Sequence, residues 1–150
     1  MDMVQNSFEA GSSAVIVHVS QNDSQFEITA ADDGCGMDEQ ELAQAQDPFY
    51  SGKGKHDHRK VGLGIPFLAQ TASMTGGSFE IKSVKGMGTS VTCTLMLEHV
   101  DTPPVGDLAS TFRALLSYPG DCELVIHRSL DTDGTKHGYQ LVRSELRQVL

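Results

Sequence analysis

The chain has 150 residues, 39% of them hydrophobic, enough to bury one core and a small appendage. A formal charge of -9 opposes non-specific binding to nucleic acid or anionic lipid, so an anionic small ligand would need locally arranged donors. The longest apolar stretches, such as AVIV at 14–17, fall far short of the roughly 18 residues of a membrane span. The amino terminus also lacks a basic segment followed by an apolar one, and the expected location is cytoplasmic. Cys35, Cys93 and Cys122 are odd in number and widely spaced, with no C-x-x-C pair, and read as thiols of a reducing compartment.

In chain order, DMVQNSFEA (2–10) predicts a helix stopped by Gly11, although its start has no capping residue. AVIVHV (14–19) and QFEITAAD (25–32) predict a hairpin turning at Asn22 and Asp23, with Phe26, Ile28 and Ala30 inward against Glu27 and Thr29. MDEQELAQAQ (37–46) reads as a short acidic helix, and DPFYSGKGKHDHRK (47–60), without period and rich in glycine and lysine, as a mobile loop. GIPFLAQTASMT (64–75) predicts a helix with Pro66 in its first turn and Gly76 and Gly77 at its end. SFEIKSV (78–84) and TSVTCTLMLE (89–98) predict two more strands around KGMG. Beyond Pro103 and Pro104 the composition shifts. A helix, a hairpin from CELVIHRSL and HGYQLVR, and a closing helical turn make residues 105–150 a helix-hairpin-helix appendage packed on the main unit.

The candidate chemistry lies in the joins between these elements. Asp2, Asn6 and Glu9 share one face of the first helix, which is either a solvated stripe or part of a site. Asp32 stands at a strand end in the spacing D-x-G-x-G. A carboxylate there needs a donor, which the exocyclic amine of adenine can supply, and Gly34 and Gly36 let backbone approach a flat ring; an ordinary turn uses the same residues. In KVGLGI, Gly62 and Gly64 lead into a helix whose unpaired amides suit phosphate oxygens. Thr89 offers a hydroxyl where its strand begins. His56 and His58 have no cysteine or further histidine near them in sequence to complete a zinc site.

Taken together, VQNSFEAG, DDGCGMD, DPFYSGK, KVGLGI and KGMGTSV resemble, in order, the N, G1, F, G2 and G3 boxes of the GHKL superfamily. That superfamily unites gyrase, the ninety-kilodalton heat-shock chaperone, histidine kinases and MutL-type repair proteins. PFYSGK and GLGI look most like the histidine kinase branch, QNSFEAG more like the MutL branch, and the likeness covers residues 2–97. The resemblance implies a Bergerat-type fold, a two-layer α/β sandwich of helices on a mixed, largely antiparallel sheet, over residues 1–98. It implies ATP and Mg2+ as cofactors. Asn6 would hold Mg2+, Asp32 would accept from the adenine amine, Gly34 and Gly36 would shape the base pocket, and Thr89 would reach the adenine region. Gly62 and Gly64 would serve the phosphates, with Glu9, Met37 and Leu63 completing the nucleotide site. Lys53 and Lys60, with Lys55 and Arg59, can offset triphosphate charge.

Two departures from the family pattern bear on function. The general base of the MutL and gyrase branches is a glutamate four residues before the asparagine; here that position is Asp2, one methylene shorter, so slow hydrolysis or none is as consistent as turnover. A histidine autokinase needs a phosphoacceptor histidine on a dimerising helix, and none of His18, His56, His58, His99, His127 or His137 falls in such a helix. The expectation is a stand-alone Mg-ATP-binding domain that phosphorylates or regulates a separate protein. The alternatives are a nucleotide-dependent binding switch without turnover and a slow MutL-like ATPase.

Overall fold

Alternation in AVIVHVS gives β1 (Ala14–Asn22) one apolar face: Val15, Val17 and Val19 are buried while Ile16 and His18 are exposed. Each buried branched side chain of this kind contributes about 1.5–3 kcal/mol by leaving water. The computed structural model describes residues 1–49 and 64–149. In these, β1 is followed by β2 (Gln25–Asp32), β3 (Ser78–Val84), β4 (Gly88–Met96), β5 (Glu123–Thr132) and β6 (Thr135–Val142). The helices are α1 (Asp2–Glu9), α2 (Glu39–Gln46), α3 (Gly64–Met74), α4 (Leu108–Leu116) and α5 (Arg143–Val149). No helix among the described residues is long and apolar enough to cross a membrane.

The strands form one six-stranded sheet in the order β3-β4-β2-β1-β5-β6. Four neighbouring pairs are antiparallel and one, β1 with β5, is parallel, which makes the sheet mixed and largely antiparallel. Val15, Val17, Val19, Ala30, Val91, Leu124 and Ile126 of the sheet share a core with Met3 and Val4 of α1, Leu68 of α3, and Phe112 and Leu115 of α4. This is a two-layer α/β sandwich, as the sequence leads one to expect. The opposite face carries His18 and His127, whose rings stack 4.6 Å apart.

Two local features set the geometry of the site. β2 lies between β1 and β4, so its last residue, Asp32, is paired on both sides, with Val15 and with Thr89. α1 has Met1 at its N-cap position with no side-chain capping bond, and its buried residues are Met3, Val4 and Ser7. Most of the loop expected at 47–60, with Lys53, Lys55, His56, His58, Arg59 and Lys60, lies outside the described residues, as do Gly62 and Leu63.

Candidate nucleotide site

A cleft of about 80 Å3 opens between α1, the end of β2 and the starts of α3 and β4. That is several times the ~10–15 Å3 that one water needs. Met3, Met37, Ala45, Ile65 and Val91 give it apolar walls, and Asn6, Ser7, Glu9, Asp32 and Thr89 are among the uncharged and anionic polar residues that line it. None of the described residues lining it is cationic.

Asp32 is the most constrained of these groups. Its Oδ1 accepts the Gly34 amide at 2.9 Å and the Thr89 amide at 3.2 Å, and its Oδ2 accepts the Ser7 hydroxyl at 2.6 Å. Three donors on one carboxylate fix its plane and its position at the wall of the cleft. The bond to Gly34 is the two-residue turn typical of aspartate after a strand.

Its neighbour performs a different task. Asp33 accepts the amides of Ser13 at 2.8 Å and Ala14 at 3.0 Å, together with the Ser13 hydroxyl, so it latches the loop after β2 to the start of β1. The Ser13 hydroxyl, followed by the Ala14 amide, holds the Asp33 carboxyl below its ordinary value, against a smaller opposing effect of burial. Of the two adjacent acids, only Asp32 lines the cleft.

The glycines shape the site in different ways. Gly36 has φ +60°, and a Cβ there would lie 1.9 Å from the Val84 carbonyl oxygen, so this position needs both the left-handed conformation and the missing side chain. The backbone contact it permits is reinforced by Gly86 N–H donating to Cys35 O at 2.7 Å. Gly34 is buried and does not line the cleft; a Cβ there would meet Ser12 Oγ at 2.8 Å and Ala10 Cβ at 2.9 Å, so it supports the loop from behind.

Of the other residues singled out in the sequence, Asn6, Glu9, Met37 and Thr89 come together at the cleft. Asn6 is half-buried. Glu9 accepts from Gln5 at 3.1 Å. Asp2 is exposed and does not line the cleft; its carboxylate stands against Gly64 at the start of α3, where a Cβ would be 2.6 Å from Asp2 Oδ2. Lys53, Lys60, Gly62 and Leu63 lie outside the described residues. His18, His127 and His137 sit in β1, β5 and β6, and His99 follows β4.

Two contributors are absent from the sequence reading. Ser7 is 5% exposed and is the donor to Asp32 Oδ2; its signal is a hydroxyl one helical turn after Met3, inside the buried stripe of α1. Ser83 accepts the Met37 amide at 2.8 Å, donates to Gly88 O at 3.1 Å and bonds Thr89 Oγ1 at 2.8 Å. Its signal is a small polar residue in the inward register of Phe79 and Ile81.

With this geometry in place, residues 1–99 match the family model described as histidine kinase-, DNA gyrase B-, and HSP90-like ATPase. The match spans about two thirds of the chain, and the chain belongs to this family of ATP-binding domains.

Proposed function

We propose that the cleft binds ATP with Mg2+ and that the bound nucleotide serves to phosphorylate or regulate a separate protein. The observation that carries this reading is the Asp32 carboxylate, held by Ser7, Gly34 and Thr89 at the wall of a largely apolar cleft. A fixed acceptor in apolar surroundings favours an amine and disfavours a carbonyl at the ring position that faces it, and at C6 adenine bears the amine and guanine the carbonyl. Gly36 would let backbone approach the base, and Thr89 would stand beside its edge.

The residues present also suit a magnesium ion. The Asn6 side chain lines the cleft with no hydrogen bond to any described residue, which leaves its carbonyl oxygen available as a hard ligand. When bound, Mg2+ would neutralise part of the triphosphate charge, which no cationic residue of the described lining does. Lys53 and Lys60 would add to that neutralisation, and Gly62, Leu63 and Gly64 would face the phosphates.

The nearness of Asp2 to Gly64 favours a second reading, slow hydrolysis, with Asp2 as general base for a water beside the terminal phosphate. The two readings separate when the pure chain is given γ-labelled ATP, alone and with co-purifying proteins. Label passing to a partner supports phosphotransfer. Phosphate release that disappears in Asp2→Asn supports hydrolysis. If neither occurs and ATP alters partner binding, the domain is a switch driven by differential affinity.

A further inference from the structure

Phe8, the aromatic residue of α1, meets two side chains from beyond the family match. Its ring stacks on Tyr118 with centroids 4.9 Å apart, and the Arg143 guanidinium lies over it at 5.5 Å. Arg143 is only 2% exposed; its Nε donates to Leu116 O at 3.1 Å and its Nη1 to Cys122 O at 2.7 Å. These two carbonyls flank the turn that carries Tyr118, so the arginine fixes both the turn and the ring it faces. Its Nη2 has no hydrogen-bond partner among the described residues, a cost an aliphatic side chain of similar volume would not carry.

We infer that Tyr118 and Arg143 are positioning residues for the nucleotide cleft, acting through Phe8 on the rotation of α1. This rests on the reading of Asn6 and Asp32 as nucleotide contacts. Successive helical residues are about 100° apart, so a ring held at Phe8 sets the direction of Ser7, about 100° away, and of Asn6, about 200° away. The Ser7 hydroxyl reaches Asp32 at 2.6 Å, a separation that leaves little room for helix rotation. Beyond Phe8, the Ser12 hydroxyl donates to Ser7 O at 2.6 Å and the Cys35 amide donates to Ala10 O at 3.1 Å, joining the end of α1 to the loop that follows Asp32. Tyr118 and Arg143 thus hold the helix at Phe8, a residue that does not line the cleft. Glu123 N–H donating to Ser13 O at 2.8 Å ties the same unit to the start of β1.

The test is calorimetric titration of Mg-ATP into the full chain, well below each variant's measured melting temperature, with Tyr118→Leu, Tyr118→Phe and Arg143→Lys. Tyr118→Leu and Arg143→Lys are expected to weaken Mg-ATP about threefold to tenfold, while Tyr118→Phe, which keeps the ring, retains wild-type affinity. Combining Tyr118→Leu with Asn6→Ala should give less than the sum of the two losses, because both act on the same contact. A lower melting temperature with unchanged affinity in both Tyr118→Leu and Arg143→Lys would reduce the clamp to a structural role and overturn the inference. Strict additivity with Asn6→Ala would overturn it as well. Asp32→Asn runs alongside: if it leaves Mg-ATP binding intact, the nucleotide reading itself fails, whereas a weakened Asp32→Asn with unaffected Tyr118 and Arg143 variants rejects only the clamp.

Discussion

Replacing Asp32 by asparagine exchanges one acceptor oxygen for an NH2 group and leaves the volume almost unchanged. If the remaining oxygen keeps the Gly34 and Thr89 amides, at 2.9 and 3.2 Å, the new NH2 turns toward Ser7 and the cleft. Ser7 can accommodate this, because its hydroxyl is also within 3.3 Å of Met3 O and can give its proton there. The adenine amine cannot, since it would face a donor where it had met a charged acceptor. The loss is that of a charge-assisted hydrogen bond, about 1.5–3 kcal/mol, or about tenfold to 150-fold in dissociation constant. Calorimetric titration of Mg-ATP into wild type and Asp32→Asn, with thermal unfolding of both to verify the fold, measures it. Wild type should also bind GTP poorly. An Asp32→Asn protein that folds normally and binds ATP with unchanged affinity would refute the adenine assignment.

Asn6→Ala should remove the magnesium-dependent part of ATP binding and leave metal-free ADP affinity nearly intact, as read by titrations with and without EDTA. Gly36→Ala should destabilise the chain by about 2–4 kcal/mol, measured as a shift in denaturant midpoint, since it combines a left-handed φ with a Cβ driven into the Val84 carbonyl. Asp33 titrates below its ordinary value in the folded chain because of the Ser13 hydroxyl and the Ala14 amide. From about pH 4 downward the unfolded chain therefore takes up its proton first, and the stability that Asp33 provides is lost as the pH falls through its folded value. Asp33→Asn should flatten that part of the stability curve in denaturation series between pH 5 and about pH 2.

Strands whose side chains alternate were legible one by one: AVIVHV and SFEIKSV carry their period in the residues themselves. The end of β1 was not, because Ser20, Gln21 and Asn22 show no apolar pattern and are held by pairing with Ser129, Leu130 and Asp131. That parallel pairing of β1 with β5 has no local signal at all, since it joins segments about a hundred residues apart. The start of α2 illustrates a signal that was present and passed over: Asp38 and Glu41 form a capping box, so the helix begins at Glu39 and not at 37. At the site, Asp32 could be read from its spacing to Gly34 and Gly36. Ser7 and Ser83 show in the sequence only as small polar residues in inward positions, because a serine acquires its partner only when folding brings its hydroxyl to a specific carboxylate or amide.

The most direct test of ATP binding at Asp32 is an amide NMR titration of the full chain with Mg-ATP. The Gly34 and Thr89 backbone amides, which donate to Asp32, should shift with either Mg-ATP or metal-free ATP. The Asn6 side-chain amide should shift further only when Mg2+ is present. Shifts gathered on the opposite face of the sheet around His18 and His127, with Gly34, Thr89 and Asn6 unmoved, would contradict ATP binding in this cleft.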